Sequence, residues 1–195
     1  MLRQYIAVLA VVVAKIPEAC ELSFTQLASL VCTGVMAWNA LFGCILLQSG
    51  QTVLFLVSIT DLQLAKAAGA VTIIASPSDE KLQFADEINR ITDGRDAVYI
   101  IENGGAGTIA QSIKACQEDM SDVVSMAPDK GCIVRGAVVG SKQLGDVIRF
   151  VSNKNVQLYI HKMLGFSREG VREAFNHLKA ARHIGKIGIE VVSKK

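Results

Sequence analysis

From Thr52 onward, short apolar runs rich in β-branched residues alternate with longer segments whose apolar residues recur every three or four positions. The short runs indicate buried strands, and the longer period indicates amphipathic helices. The predicted strands are residues 52–57, 71–75, 97–101, 132–139, 156–160 and 187–192. The predicted helices are one ending at Gly69, one beginning at Asp79, one running through Cys116, and residues 141–150 and 167–181. Such alternation is typical of β-α-β units, so we predict an α/β fold with a mostly parallel sheet.

Two apolar stretches precede this region. Residues 5–14 follow an arginine, as in a secretory signal peptide, but they end without a small-residue cleavage site. Residues 27–47 carry no charge and are long enough to span a bilayer. They contain Gly34, Asn39 and Gly43 and lack flanking Lys or Arg, which favours a buried helix followed by a turn.

The composition excludes two classes of protein. Hydrophobic residues make up 51% of the 195 residues and charged residues 19%, which excludes a disordered chain. The net charge of +2 is too small for a nucleic-acid surface, and we expect no membrane partner either. Five cysteines without close spacing, and three histidines without a zinc motif, predict no metal site. The odd cysteine count fits a reducing compartment, and we expect a cytoplasmic protein.

The connection after the first predicted strand is the place to look for a dinucleotide site. Ligands of an open parallel sheet bind outside the carboxyl ends of its strands. Only glycine lets backbone amides approach a pyrophosphate closely at that turn. Residues 57–61 (VSITD) occupy the place and contain no glycine. The carboxylate of Asp61 would repel a phosphate, so these residues argue against tight dinucleotide binding.

The connection after the second predicted strand is better suited to bind an anion than the connection after the first. Ser76, Ser78 and Lys81 place hydroxyl groups and a cation where the 2′-phosphate of NADP would lie. The alternative is a helix capped by Ser78 with a solvent-facing lysine.

Three further places complete this edge. Residues 102–107 (ENGGAG) place glycines at a strand end. Backbone without side chains can approach a flat ring of a ligand closely, or it can form a tight turn. Gly140 follows the predicted strand 132–139, where a helix N-cap by Ser141 is the alternative. Lys186 could reach an anionic cofactor or remain solvated.

Nine segments, in order along nearly the whole chain, carry a family resemblance. They are residues 16–18 (IPE), 32–42 (CTGVMAWNALF), 50–54 (GQTVL), 62–70 (LQLAKAAGA), 76–81 (SPSDEK), 102–107 (ENGGAG), 134–136 (VRG), 139–141 (VGS) and 183–186 (HIGK). With them the chain resembles the medium-chain dehydrogenase/reductases, and most closely their zinc-type alcohol dehydrogenase-like, NADP-dependent branch.

The resemblance implies a Rossmann-like, mostly parallel sheet with helices on both faces. It divides the chain into a remnant of the GroES-like catalytic domain at residues 1–24, a coenzyme-binding domain at 25–160, and a returning helix and strand at 161–195. The implied reaction is a zinc-independent hydride transfer between NADP(H) and a small carbonyl, alcohol or activated alkene. By analogy, Ser76, Ser78 and Lys81 would hold the 2′-phosphate. The nicotinamide and pyrophosphate side would be lined by Asn103, Gly104, Gly105, Val139, Gly140 and Lys186.

The chain also departs from the family pattern. Most of the GroES-like domain, which carries the family's substrate pocket, is missing. The glycine-rich turn is deleted between Leu56 and Val57, and further residues are missing after Ala85 and around residues 117–121. We therefore expect an incomplete fold and absent or very slow hydride transfer by the chain alone. The alternative function is a non-catalytic binding or dimerising module, with the predicted strand 132–139 pairing across a homodimer axis.

Overall fold

A computed structural model describes residues 2–55, 59–74, 97–102, 135, 140–180 and 183–191. By their internal contacts the residues divide into two compact units. The first unit combines residues 1–38 with 139–195, and the second comprises residues 39–138. The domain boundaries expected after residues 24 and 160 stay predictions.

The first helical region begins at a capping box. Helix α1 spans Phe24–Ser29, and the Ser23 hydroxyl accepts a hydrogen bond from the backbone N–H of Gln26 at 3.2 Å. The Gln26 side-chain oxygen accepts in return from the N–H of Ser23 at 3.0 Å, so two exposed donors of the helix end are satisfied. The side-chain amide of Gln26 also donates to the carbonyl of Leu158 at 3.0 Å. One glutamine therefore caps the helix and attaches it to a distant segment of the same unit.

The helix continues through the apolar stretch identified in the sequence. A π-helical turn, Leu30–Gly34, follows α1 and leads into α2, Val35–Phe42. The chain then bends at residues 43–45, so the expected helix and turn are confirmed. The 19 residues Phe24–Phe42 are long and apolar enough to cross a membrane, and one third of that stretch is buried. Core helices of soluble proteins have the same length and composition, so this is weak evidence for a membrane span.

Helix α4 belongs to the first unit, and the segment after it differs from one predicted strand. It spans Ser141–Asn153, with Val147, Ile148 and Val151 buried on one side. The predicted strand 156–160 is wrong in its bounds, because the strand β4 spans Ile160–Gly165. The buried residues Val156 and Leu158 instead form an irregular segment after the helix. The Val156 N–H donates to the carbonyl of Val151, and the Leu158 carbonyl accepts from Gln26.

The first unit also contains a short parallel sheet. Helix α5, Arg168–Lys179, is capped by the Ser167 hydroxyl, which accepts from the N–H of Gly170 at 3.0 Å. Strand β5, Lys186–Glu190, follows and pairs in parallel with β4. The expected final helix and final strand are thus confirmed with shifted ends.

The second unit is built on a parallel sheet with the strand order β2-β1-β3. Its strands are β1, Thr52–Phe55, β2, Val71–Ile74, and β3, Tyr99–Ile101. All four residues of β1 are buried, as expected for a central strand covered on both faces. Helix α3, Ile59–Ala67, connects β1 to β2. The predicted α/β class with a mostly parallel, Rossmann-like sheet is confirmed.

Gly69 ends α3 as expected from the sequence. Its φ of +84° lies in the left-handed region, where a side chain is strained. The N–H of Gly69 donates to Lys66 and that of Ala70 to Ala65, so the last carbonyls of the helix are satisfied. Of the predicted strand 132–139 only Arg135 is described, and the helices expected from Asp79 and through Cys116 lie outside the described residues.

The double use of Gln26 gives a testable prediction. Substitution Gln26→Glu keeps the oxygen that caps α1 but removes the amide that donates to the buried Leu158 carbonyl. We expect a lower free energy of unfolding, by about 1–3 kcal/mol, because a buried acceptor loses its donor and faces a carboxylate. Urea denaturation measures the change, with Gln48→Glu at an exposed site as the control for added charge. Equal stability of wild type and Gln26→Glu would contradict this account.

Candidate functional site

The candidate site is the carboxyl edge of the second unit's sheet. From β1 the chain passes through α3 to β2 on one side, while β3 pairs with β1 on the other side. The connections therefore diverge between β1 and β3, and such a switch point is where open parallel sheets bind ligands. Phe55 ends β1 there, and Ile101 followed by Glu102 ends β3.

The connection from β1 into α3 lacks the residue type that a dinucleotide fold uses there. It includes residues 56–58, which lie between the described parts of β1 and α3. No glycine occurs between Gly50 and Gly69. A turn that surrounds a pyrophosphate depends on glycine at several positions. The chain does not offer the glycines of that turn.

Asp61 lies in the first turn of α3, where a phosphate would bind in such folds. Its side chain is buried, with 2% exposure, and its neighbour Thr60 is 6% exposed. The N-terminus of a helix carries a partial positive charge and free N–H groups, which stabilise a nearby anion. In this chain an acidic residue of the helix itself lies in that turn.

These residues do not fit the pyrophosphate of a dinucleotide. A buried carboxylate stands in the first turn of the helix, and Glu102 adds a second acidic residue at the neighbouring strand end. Bringing a pyrophosphate to this edge would place like charges together where water screens them poorly. The burial of Asp61 therefore strengthens the expectation that this turn does not bind a dinucleotide tightly.

Most of the predicted cofactor residues lie outside the part of the chain that the structure describes. Those outside the described residues are Ser76, Ser78, Lys81, Asn103, Gly104, Gly105 and Val139. Gly140 and Lys186 are described, and both lie in the first unit. Gly140 is exposed and is itself the N-cap of α4, in extended conformation, so the alternative of an N-cap by Ser141 is wrong. Their roles in cofactor binding stay predictions.

Lys186 has a protein partner. It is the first residue of β5 and is half-buried, and its Nζ donates to the Thr33 hydroxyl at 2.6 Å. The Lys186 side chain is therefore bonded within the protein and joins β5 to the π-helical turn. An anionic ligand would have to replace or share this bond.

Arg135 is a polar residue that the sequence singled out only as part of a family motif. Its guanidinium donates to the carbonyl and to the side-chain oxygen of Asn39, at 3.1 and 2.7 Å. Asn39 is buried, and a Cβ on Gly43 would lie 1.9 Å from its side-chain oxygen. The two residues are 96 positions apart, so periodicity could not have found this pair.

The three histidines come together in the first unit. The Nε2 atoms of His161 and His177 lie 3.2 Å apart, and the ring centroids of His177 and His183 lie 6.5 Å apart. Within the described part of the chain, no three or more His, Cys, Asp or Glu side chains are arranged to hold a metal ion jointly. The sequence places these histidines at 161, 177 and 183, which shows no ligand spacing.

An open cleft of about 200 Å³ also lies in the first unit, lined by Ala19, Glu21, Leu22, Val151, Ser152 and Asn155. Pockets for drug-sized ligands measure roughly 300–1,000 Å³ and are mostly apolar. This cleft is smaller and mainly polar, so we do not treat it as a ligand site.

Comparison with known proteins finds similarity in sequence. A zinc-type alcohol dehydrogenase-like protein of Schizosaccharomyces pombe is 28% identical over 213 residues, which include 88% of this chain and 61% of the relative. The matched stretch is longer than the 195-residue chain, so this chain lacks residues that the relative has within it. No protein-family model matches the chain.

Solved structures agree in fold. A Sinorhizobium meliloti 1021 protein assigned as an alcohol dehydrogenase matches with a TM-score of 0.76 and 26% identity, over 90% of this chain and 60% of that protein. An NAD-dependent alcohol dehydrogenase matches with a TM-score of 0.71 and 21% identity, over 90% and 63%. A crotonyl-CoA carboxylase/reductase solved with NADP matches with a TM-score of 0.67 and 13% identity, over 82% and 55%. The chain thus spans about three fifths of the proteins it matches.

The position of Asp61 generates a second prediction. Substitution Asp61→Asn keeps the shape of the side chain but removes its charge from the first turn of the helix. We expect the free energy of unfolding to fall by about 0.5–2 kcal/mol, because the helix dipole loses its anion. Urea denaturation measures the change, and Glu18→Gln at an exposed site controls for loss of a carboxylate. Higher stability of Asp61→Asn would show that the buried charge is not compensated by the helix.

Proposed function

Because the chain is a shorter relative of the medium-chain dehydrogenase/reductases, we propose that its function derives from NADP(H)-dependent oxidoreductases of the alcohol dehydrogenase or quinone reductase type. Their reaction would be a hydride transfer between NADPH and a carbonyl, an alcohol or an activated alkene. By itself, this chain performs that reaction very slowly or not at all.

The first part of the proposal is supported by the two kinds of similarity. The Schizosaccharomyces pombe relative matches 88% of the chain, and the solved alcohol dehydrogenase structures match 90%. Solved neighbours include both an NAD-dependent enzyme and an NADP complex. We favour NADP because Ser76, Ser78 and Lys81 replace the acidic residue that an NAD site uses at the end of its second strand.

The second part of the proposal depends on one observation: buried Asp61 lies in the first turn of α3, after a segment without glycine. A dinucleotide needs its pyrophosphate neutralised and hydrogen-bonded at this turn. The chain offers no glycine there and adds a buried carboxyl group. Since a cofactor that is not held cannot be oriented for transfer, weak binding here would limit turnover before any substrate is considered.

A non-catalytic binding or dimerising module is the second candidate. The apolar stretch near the N-terminus favours it, because Tyr5, Leu9 and Val11 are 90%, 74% and 74% exposed. Monomeric proteins seldom leave such contiguous apolar surface uncovered. In either case we propose a zinc-independent protein in the cytoplasm, on the grounds of its unpatterned histidines and its odd number of cysteines.

Thermal melts with cofactor test the proposal. We expect the midpoint of the chain to stay unchanged with excess NADPH or NADH, because the turn after β1 does not hold a pyrophosphate. A ligand present at 100 times its dissociation constant would add about 2.7 kcal/mol and raise the midpoint visibly. The Schizosaccharomyces pombe relative, melted under the same conditions, serves as the positive control.

A midpoint raised by NADPH would contradict the loss of cofactor binding. The companion assay follows NADPH absorbance with aldehydes, quinones and enones. We expect no oxidation above the rate without protein, and steady oxidation would contradict the proposal directly.

A further inference from the structure

Residues 5–13 form an exposed apolar segment of the first unit, called the N-terminal segment below. Its seven large apolar side chains, from Tyr5 to Val13, are each more than half exposed. They occupy neighbouring as well as alternate positions, so an extended backbone would present apolar side chains on both of its faces. Monomeric proteins seldom leave such a contiguous apolar patch uncovered. We therefore looked for the partner that suits this segment.

The backbone of the N-terminal segment is unpaired over its first part. Residues 5–9 belong to no helix or strand, and Leu9 has extended backbone angles. Within the described part of the chain, the backbone bonds of this segment are those that Val12 and Val13 donate to the carbonyls of Leu9 and Ala10. The N–H groups of residues 5–9 are thus left for water or for another strand.

The composition of the segment is that of a strand that pairs with another copy of itself. Residues 4–14 (QYIAVLAVVVA) contain no charge, glycine or proline, and five of these eleven residues are β-branched. Exposed segments of this kind form strand pairs between chains. Lysine and proline, which prevent such pairing, occur only after the segment, at Lys15 and Pro17.

The flanking cations favour one arrangement of the pair. Arg3 precedes the segment and Lys15 follows it. In a parallel pair each cation would lie opposite the same cation of the other copy, and like charges in that position are destabilising. In an antiparallel pair centred on Ala7, Tyr5 lies opposite Leu9 and the cations of the two copies lie apart. This register also matches a two-fold axis.

A lipid surface suits the segment less well than a second copy does. Ten apolar residues, 5–14, are about half the number needed to span a bilayer. In hydrocarbon, the N–H groups of residues 5–9 would remain without acceptors, which is costly. A second copy supplies both the apolar cover and the hydrogen-bond acceptors.

We propose that two copies of the chain form a symmetric dimer in which residues 5–9 of each copy pair as antiparallel strands. This pairing rests on the proposed function as a dimerising module, and it names the surface and the partner. The apolar side chains of residues 5–13 offer roughly 500 Å² per copy, at about 100 Å² for each fully exposed aliphatic side chain. An interface of roughly 1,000 Å² in total belongs to the weak class, so we expect a dissociation constant in the micromolar range.

Sedimentation equilibrium of the full chain, over a series of concentrations and with a thiol reductant present, tests this dimer. We expect wild type to change from monomer to dimer as its concentration rises. Consecutive residues of a strand point their N–H groups to opposite sides, so either Ala7→Pro or Val8→Pro removes a donor that the pair uses. That variant should dimerise at least about tenfold more weakly, because the symmetric pair loses the bond twice. Ala7→Ser keeps the N–H group and is the matched control, which should dimerise like wild type.

Several results would overturn the proposal. Wild type that stays monomeric at every concentration would contradict the dimerising module itself, whereas a dimer that both proline variants retain would contradict only this surface. A mass that grows beyond two chains would contradict a closed two-fold pair, and equal weakening in Ala7→Ser would contradict backbone pairing. Monomeric wild type that sediments with phosphatidylcholine vesicles would identify lipid as the partner instead. Melts with NADPH test the oxidoreductase proposal separately from all of these outcomes.

Discussion

The first turn of a helix that follows the central strand of a parallel sheet has free N–H groups and a partial positive charge, which attract an anion. In dinucleotide-binding proteins that anion is the ligand's pyrophosphate. In this chain the first turn of α3 contains the buried Asp61, six residues after Phe55 of β1. The sheet order and the helix are otherwise those of a Rossmann-like fold. A buried carboxyl group thus lies in the turn where such folds place a phosphate.

The fold can form without the cofactor that such folds bind. The parallel order β2-β1-β3, the buried central strand and the positive φ of Gly69 need no ligand in order to form. Their stability comes from burial of apolar side chains and from satisfied backbone groups. A chain can therefore match a solved structure assigned as an alcohol dehydrogenase over 90% of its length without a glycine-rich turn after β1. The similarity to oxidoreductases and the proposed lack of turnover are compatible for this reason.

The sequence predicted most of the described fold because the elements are short and locally encoded. Strand β1 and the end of α3 at Gly69 could be read from a β-branched run and a glycine. The segment 156–160 could not, since Val156 and Leu158 are buried by packing after α4 rather than by sheet pairing. Likewise, the bond from Lys186 to Thr33 joins residues 153 positions apart, and no period reveals it.

The candidate site was only partly visible in the sequence. The missing glycines and the charge of Asp61 could be read directly, but its burial required the structure. The contact between the Nε2 atoms of His161 and His177 joins two elements, and no motif in the sequence reveals it.

The central claim concerns the first turn of α3, and backbone amide NMR reports on it residue by residue. The measurement is a titration of the ¹⁵N-labelled chain with NADPH, following the amides of residues 59–62. The account predicts that these amides do not move, because a buried carboxyl group in this turn disfavours a pyrophosphate and no glycine admits one. Saturable shifts of these four amides would show that a pyrophosphate binds there and would contradict the account.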